Sequence, residues 1–246
     1  ALNAPLQGAG NVNATVTSGN LAITGLGASA PNATLSASGN ISGLGAGPHI
    51  VSNNVSLNGD ALNNVQLAAG LAAPIDLAFT AASSAQISAA NSVNLNGSSS
   101  VGSDMQLAVQ GNLTLSNNLA VGNLLAVNVT GDLSNAGGAP SFQANALQLS
   151  AGNFTGAPLT TNVSLLSAQS GGDLNLSQIT ATPLTVTTVN GSTGINAVGN
   201  VHLNTQGPLT VNAGVNGSNV NVSVASGDLA LNAPLQGAGN VNATVT

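Results

Sequence analysis

Gly111-Asn112-Leu113-Thr114-Leu115 is followed 20 residues later by Gly131-Asp132-Leu133, and the same opening returns at Gly152-Asn153-Phe154 and Gly172-Asp173-Leu174. Each triplet is a glycine, then an asparagine or aspartate, then an apolar residue. An earlier series keeps the same step through Gly19-Asn20-Leu21, Gly39-Asn40-Ile41 and the weaker Gly59-Asp60-Ala61. Gly207-Pro208-Leu209 leads over the same interval to Gly227-Asp228-Leu229. Beyond each triplet the pattern turns to period two. Leu21 and Ile23, Leu113 and Leu115, Leu174 and Leu176, and Leu229 and Leu231 fall on one face, as do Val220, Val222 and Val224. Such alternation marks a half-buried strand, and Gly, Asn, Asp, Ser and Pro between the strands supply turns. Helix signals are weak, with 31 glycines and no Lys, Arg or Glu.

Short strands within a superperiod near 20 residues predict an all-β chain, a parallel right-handed β-helix or solenoid of about twelve coils of roughly 19–20 residues. One coil cannot bury its own apolar face, but coils stacked about 4.8 Å apart place Leu over Leu and Val over Val. Two intervals break step, from 59 to 111 and from 172 to 207, and divide on this reading into three and two shorter coils. Further copies at Gly10-Asn11-Val12, Gly122-Asn123-Leu124 and Gly199-Asn200-Val201 imply that the triplet marks more than one corner of a coil.

A longer repeat encloses the short one. Residues 1–17 and 230–246 both read ALNAPLQGAGNVNATVT, an identity at an offset of 229. This predicts one solenoid unit over 1–229 and the start of the next identical unit over 230–246, in a chain built as a tandem array. Ala1 is not an initiator Met, so the expectation is a processed product or a fragment.

Composition narrows the function. Asp60, Asp76, Asp104, Asp132, Asp173 and Asp228 give a net charge of -6, and no side chain is a strong base. Nucleic-acid binding needs cations to displace phosphate counterions, and a polybasic membrane-surface segment is excluded for the same reason. No apolar run approaches the length of a spanning helix, and the aromatic girdles of a membrane barrel are missing. No Cys is present for a thiolate nucleophile or a disulfide framework. Leu, Ile, Val and Phe nevertheless supply 65 of 246 residues, and mean hydropathy is +0.32. That is enough apolar content for order, in a core narrow enough to need only three Phe. The lack of charge suits stacking: a charged residue repeated in each coil would form a column of like charges. Asn, Ser and Thr can hydrogen-bond along such a column instead.

The GDLxL and GNLxL openings at Gly172 to Leu176 and Gly111 to Leu115, the near-20-residue period and the Asn, Gly, Ser, Thr and Ala background resemble the central repeats of filamentous-haemagglutinin-like adhesins, the exoproteins of bacterial two-partner secretion. The resemblance extends over essentially the whole chain. It implies a long extracellular β-helical rod that displays binding regions away from the cell. This chain departs from the pattern in lacking Lys and Arg and in its near-perfect long repeat, which points to a filament or stalk.

Catalytic and metal chemistry finds little footing. Similar β-helical lyases use an Arg or Lys base, absent here. Glycoside hydrolysis needs two carboxylates about 5–10 Å apart; Asp132 and Asp173, about two coils apart, and Asp60 and Asp76, about one coil apart, are the candidate pairs, but each Asp stands where neighbouring copies carry Asn, which favours a turn role. His49 and His202 are isolated and expected at the surface or in turns, too few for a metal site. Gly171-Gly172-Asp173 only faintly echoes a calcium-binding repeat. No catalytic, cofactor-binding or metal residue is therefore assigned, no cofactor is expected, and the chain is not expected to be an enzyme. Asn-x-Ser/Thr triplets number fourteen, among them Asn13, Asn54, Asn112, Asn128, Asn175 and Asn221. They fit glycosylation, and more simply an outward strand face bearing Asn and Ser or Thr two apart.

The expected function is structural: an extracellular or cell-surface bacterial filament or adhesin stalk serving adhesion or biofilm. Its partners are copies of itself, end to end in a tandem or fibrous array and with lateral association as a further option, with no nucleic acid and no membrane insertion; host or surface glycans are a further partner class that no motif supports. The alternative is an ice-binding or glycan-binding solenoid, prompted by Thr15-Val16-Thr17, Thr180-Ala181-Thr182 and Thr185-Val186-Thr187.

Overall fold

Leu113 lies between Val93 below and Leu133 above, and Phe154 continues the column over Leu133. This stacking of equivalent residues organises the whole molecule. In the computed structural model the chain is a parallel β-solenoid of about twelve turns, with no helix among the described residues. The structure describes residues 1–2, 4–71, 73–136 and 141–246. Among the described residues two parallel sheets, of seventeen and sixteen strands, form the opposite walls. The first, here sheet 1, begins with Leu6–Gln7, and sheet 2 begins with Asn11–Val16.

The coil changes shape along the axis. In the first coils sheet 2 runs straight through Asn32–Ala37 and Asn54–Gly59, while sheet 1 is broken into pairs such as Ile41–Leu44 and Ile50–Val51. Strand Leu62–Ala68 fuses the two halves, pairing with Ile41–Leu44 at its start and Ile50–Val51 at its end. From there sheet 1 runs straight through Ala85–Ala89, Met105–Val109, Leu124–Val129, Ala146–Ala151 and Leu165–Ser170. Sheet 2 is broken over those coils, as in Val93–Leu95 and Ser99–Val101, both resting on Ile75–Ala81. In the last coils the break returns to sheet 1, and sheet 2 runs straight through Leu174–Gln178, Val201–Thr205, Val220–Val224 and Val241–Val245.

The alternation read from the sequence sets which side chains enter the core. In Asn54–Gly59 the residues alternate exposed and buried without exception. The interior is one continuous apolar column system in which Leu35, Leu57 and Phe79 stack, as do Val220, Val201 and Leu174. Each such Leu, Val or Ile contributes about 1.5–3 kcal/mol on burial. Phe79 and Phe142 are buried at 2% and 0% exposure, so a coil admits a ring where its column neighbours allow one.

Fitting a broken sheet onto a straight one needs local adjustments. Asn64, at φ 50°, forms a bulge where Leu62 pairs with Ala85 but Val65 pairs with Ile87. Gln178 is fully buried where the broken strand Leu159–Asn162 meets the straight strand Leu174–Gln178. Its Nε2 donates to the Val163 carbonyl at 2.8 Å, and its Oε1 accepts from the Val163 N–H at 3.2 Å and the Thr161 hydroxyl at 3.1 Å.

The predicted division of the two off-step intervals needs correction. Ser83 stacks on Asp60, Ser103 on Ser83 and Asn123 on Ser103. Gly111 therefore follows Gly59 by two and a half coils, at the opposite corner. Likewise Gly199 stacks on Gly172, and Gly207 lies half a coil further on. The triplets do mark two corners: they lead into sheet 1 at Leu21, Ile41, Leu209 and Leu229, and into sheet 2 at Leu113, Leu133, Phe154, Leu174 and Val201. The interval between triplets on different corners is not a whole number of coils, so counting them in line overfills the broken intervals.

Candidate functional site

The triplets carry side-chain hydrogen bonds that join one coil to the next. At the corners the Asn or Asp oxygen accepts the backbone N–H of its counterpart one coil above. Asn20 Oδ1 takes Asn40 N–H at 2.8 Å, Asn112 Oδ1 takes Asp132 N–H at 2.9 Å, and Asn153 Oδ1 takes Asp173 N–H at 2.9 Å. Asp173 Oδ1 in turn takes Asn200 N–H at 2.7 Å, and Asn219 Oδ1 takes Asn240 N–H at 2.8 Å. At a corner the main-chain ladder is interrupted, and an unpaired amide there is costly. The only feature required of the side chain is a short-armed acceptor, which explains why Asn and Asp interchange.

The preceding glycine follows from the same contact. A Cβ on Gly39 would collide with Asn20 Oδ1, one on Gly131 with Asn112 Oδ1, and one on Gly199 with Asp173 Oδ1. On Gly172 it would lie 2.5 Å from Asn153 Oδ1 and 2.8 Å from its Cγ. Glycine leaves room for the side chain that reaches up from below. The apolar third residue then enters the core as the first inward position of the strand, as with Leu21, Leu113 and Leu174.

A second set of amides forms ladders on the walls. Asn32 Nδ2 donates to Asn11 Oδ1 at 2.8 Å and Asn54 Nδ2 to Asn32 Oδ1 at 2.7 Å, so three coils are joined through one column. Asn94 Nδ2 donates to Asp76 Oδ1 further up that column. Asn216 on Asn196 repeats the arrangement in sheet 1 at 2.7 Å, and Asn219 on Asn200 and Asn232 on Asn212 do so outside the strands at 2.7 and 2.8 Å. A carboxamide both donates and accepts, so such a column continues through any number of coils.

The acidic residues fall into these structural positions. Asp132 and Asp173 are two coils apart with Asn153 between them. Asp60 and Asp76 do not face each other: Asp60 lies at the corner before Leu62–Ala68, whereas Asp76 sits in a sheet 2 strand between Asn54 and Asn94. Asp104 accepts from Asn123 Nδ2 at 2.7 Å and Leu124 N–H at 3.1 Å, and the Asp228 carbonyl accepts from Leu209 N–H. Among the described residues no three His, Asp or Glu side chains gather into a metal-binding group, and no helix is long and apolar enough to cross a membrane.

The histidines differ from one another. His202 is exposed on strand Val201–Thr205 between Asn175 and Asn221. His49 lies in the turn region after Gly45 to Pro48, one of the two placements expected for it, but it is fully buried and not at the surface. Its ring fills the core space that a side chain on Gly43 would occupy. Nδ1 accepts Gln66 N–H at 3.1 Å, and Nε2 makes no hydrogen bond. Burial pushes its pKa below the ordinary imidazole value, with the Leu44 backbone pulling less strongly the other way.

The Asn-x-Ser/Thr triplets at Asn54, Asn175 and Asn221 each flank one inward residue, as an alternating strand dictates. The Thr-x-Thr steps do not stack: Thr15 is in a sheet 2 strand, Thr185 in a sheet 1 strand, and Thr180 lies outside any strand. An excursion that the 20-residue step does not announce lies between Val186 and Ile195, where Thr188–Val189 and Ser192–Thr193 form an antiparallel hairpin. Its signal was legible in Asn190-Gly191, a hairpin-turn dipeptide with φ 50° and 81°. No family model matches the chain, and no curated protein or solved structure matches it.

Proposed function

We propose that the chain is a structural unit of a tandem β-solenoid, a segment of an extracellular bacterial filament or adhesin stalk. The observation that carries the reading is the placement of the second 17-residue copy. Val241–Val245 pairs residue for residue with Val220–Val224, and Leu229–Leu231 and Leu235–Gly237 extend sheet 1. The first copy meanwhile supports the coil above it, Asn11–Val16 pairing with Asn32–Ala37. One sequence thus forms both kinds of junction, and main-chain hydrogen bonding can pass from unit to unit without a cap. The amide ladders and the sparse charge support the same reading, since neither limits the number of coils.

The location outside the cell and the role in adhesion or biofilm rest on the resemblance to filamentous-haemagglutinin-like repeats. Electron microscopy of chains with one, two and three units tests the structural reading. Rods that lengthen by about 53 Å per unit, eleven coils at about 4.8 Å, are expected; globules of growing diameter would overturn it. Immunogold labelling of intact source cells tests the location, with surface label expected and label confined to sectioned cell interiors contradicting it.

A further inference from the structure

The outward face of sheet 1 holds a groove of ≈ 330 Å³ bounded by Asn64 at one end and Asn190 at the other. These two asparagines are the only non-glycine residues with positive φ among the described residues. One is the bulge at the foot of the straight part of sheet 1, the other the turn of the hairpin above it. The hairpin is seated on the sheet: Val189 is 5% exposed, its carbonyl accepts the Ser167 hydroxyl at 3.4 Å, and Asn190 Nδ2 reaches back two coils to Gln148 Oε1 at 3.5 Å. Between the two ends lie four coil steps, a floor about 19 Å long.

The floor is shaped by one column in which Ala126 stands between Gln106 below and Gln148 above. Ala126 faces outward yet is only 8% exposed, sunk between its longer neighbours. Ala108 lies beside it under Asn128. The lining therefore has methyl groups at the bottom and carboxamides at the rim, and no titratable side chain.

We propose that this groove binds a neutral glycan chain laid along the rod axis. Each rim carboxamide both donates and accepts, which matches the adjacent hydroxyls of a sugar. The Ala methyls offer an apolar floor for the ring face, and a concave site with a few convergent polar groups is the usual form of a small-ligand pocket. An ionic ligand finds no counter-charge. A peptide strand finds no open edge, because the main-chain groups of the floor are already paired to the coils above and below. The proposal rests on the described groove and not on the fibre reading, so rods without sugar binding would leave the fibre intact and remove this site.

Saturation-transfer NMR on the 246-residue chain tests it, using cello-, malto-, chito- and galacto-tetraose as probes. A tetragalacturonate and a neutral Ser/Gly/Asn heptapeptide serve as comparisons. Transfer to at least one neutral tetrasaccharide is expected, with affinity falling about tenfold or more in Ala126→Leu, which fills the floor. Gln106→Ala, which leaves the backbone undisturbed, should weaken it as well, and Asn175→Ala on the other sheet should not. No transfer to any neutral sugar, undiminished transfer in both groove variants, or preference for the peptide or the uronate would each overturn the proposal.

Discussion

Gln7 and Gln236 occupy the same position of the 229-residue repeat but stand in ladders two residues apart. Gln7 rises through Ser29 and Val51 to Ala68. Gln236 descends through Asn216, Asn196, Gln169, Ser150, Asn128, Ala108 and Ser88 to Gln66. Three steps and then eight make eleven coils, and the unit falls two residues short of closing them. An even offset keeps every inward residue inward.

The offset fixes which residues meet at the unit junction. Adjacent parallel strands bring paired Cα atoms to a separation compatible with a disulfide. Asn216→Cys with Gln236→Cys should therefore oxidise readily in a chain otherwise free of Cys. Ser218→Cys with Gln236→Cys, the pair that a closed unit would bring together, should remain reduced on non-reducing electrophoresis.

Gly172 and Asn153 should be energetically coupled. Gly172→Ala places a Cβ against the Asn153 side chain and should cost about 1–3 kcal/mol in urea unfolding. Asn153→Ala removes the acceptor of Asp173 N–H and should cost about 1 kcal/mol. The double variant removes the collision together with the acceptor, so its loss should fall short of the sum by about 1 kcal/mol. Asp173→Asn, which keeps the acceptor for Asn200, should stay within about 0.5 kcal/mol of the parent.

Gln178→Leu tests the buried amide. It strands the N–H and C=O of Val163, which is itself only 1% exposed. Each group left unpaired in the interior costs about 1–3 kcal/mol. A denaturation midpoint equal to the parent's would show that these contacts contribute nothing.

His49 should make stability depend on mild acid. Its folded-state pKa lies below the ordinary value near 6.5, so the unfolded chain binds the proton first as pH falls. The contribution of the neutral ring is complete above that ordinary value and is lost as pH drops towards the lower folded pKa. Urea midpoints should accordingly fall as pH drops through and below that ordinary value, and His49→Gln should flatten that part of the profile. An unchanged slope in the variant would assign the pH dependence elsewhere.

The fold was legible because alternation and the 20-residue step are direct readouts of inward-facing residues and of coil length. Leu113, Leu115 and Leu174 lie where period two places them. The coil count within the repeat was less legible, because Gly59 and Gly111 carry one motif at opposite corners, and sequence spacing alone does not distinguish a corner from its opposite. The corner chemistry was half legible: the sequence marks Asn as a turn former and a ladder former, but its acceptor role towards the next coil's amide, and the glycine that makes room for it, needed the stacked geometry. The groove was invisible in the sequence, since Ala126 becomes a floor only when Gln106, Gln148 and Asn190, distant in the chain, surround it.

The ladders between coils run along the rod, so tension on a chain held at its two ends would load the outermost coil first and the rest in turn. Release would proceed by peeling, one coil after another, each freeing about 70 Å of extended chain from some 21 residues. Such an element would yield coil by coil over a long extension, and each freed coil would have the last intact one as its template for rewinding. A stalk made this way would be a shock absorber as well as a spacer.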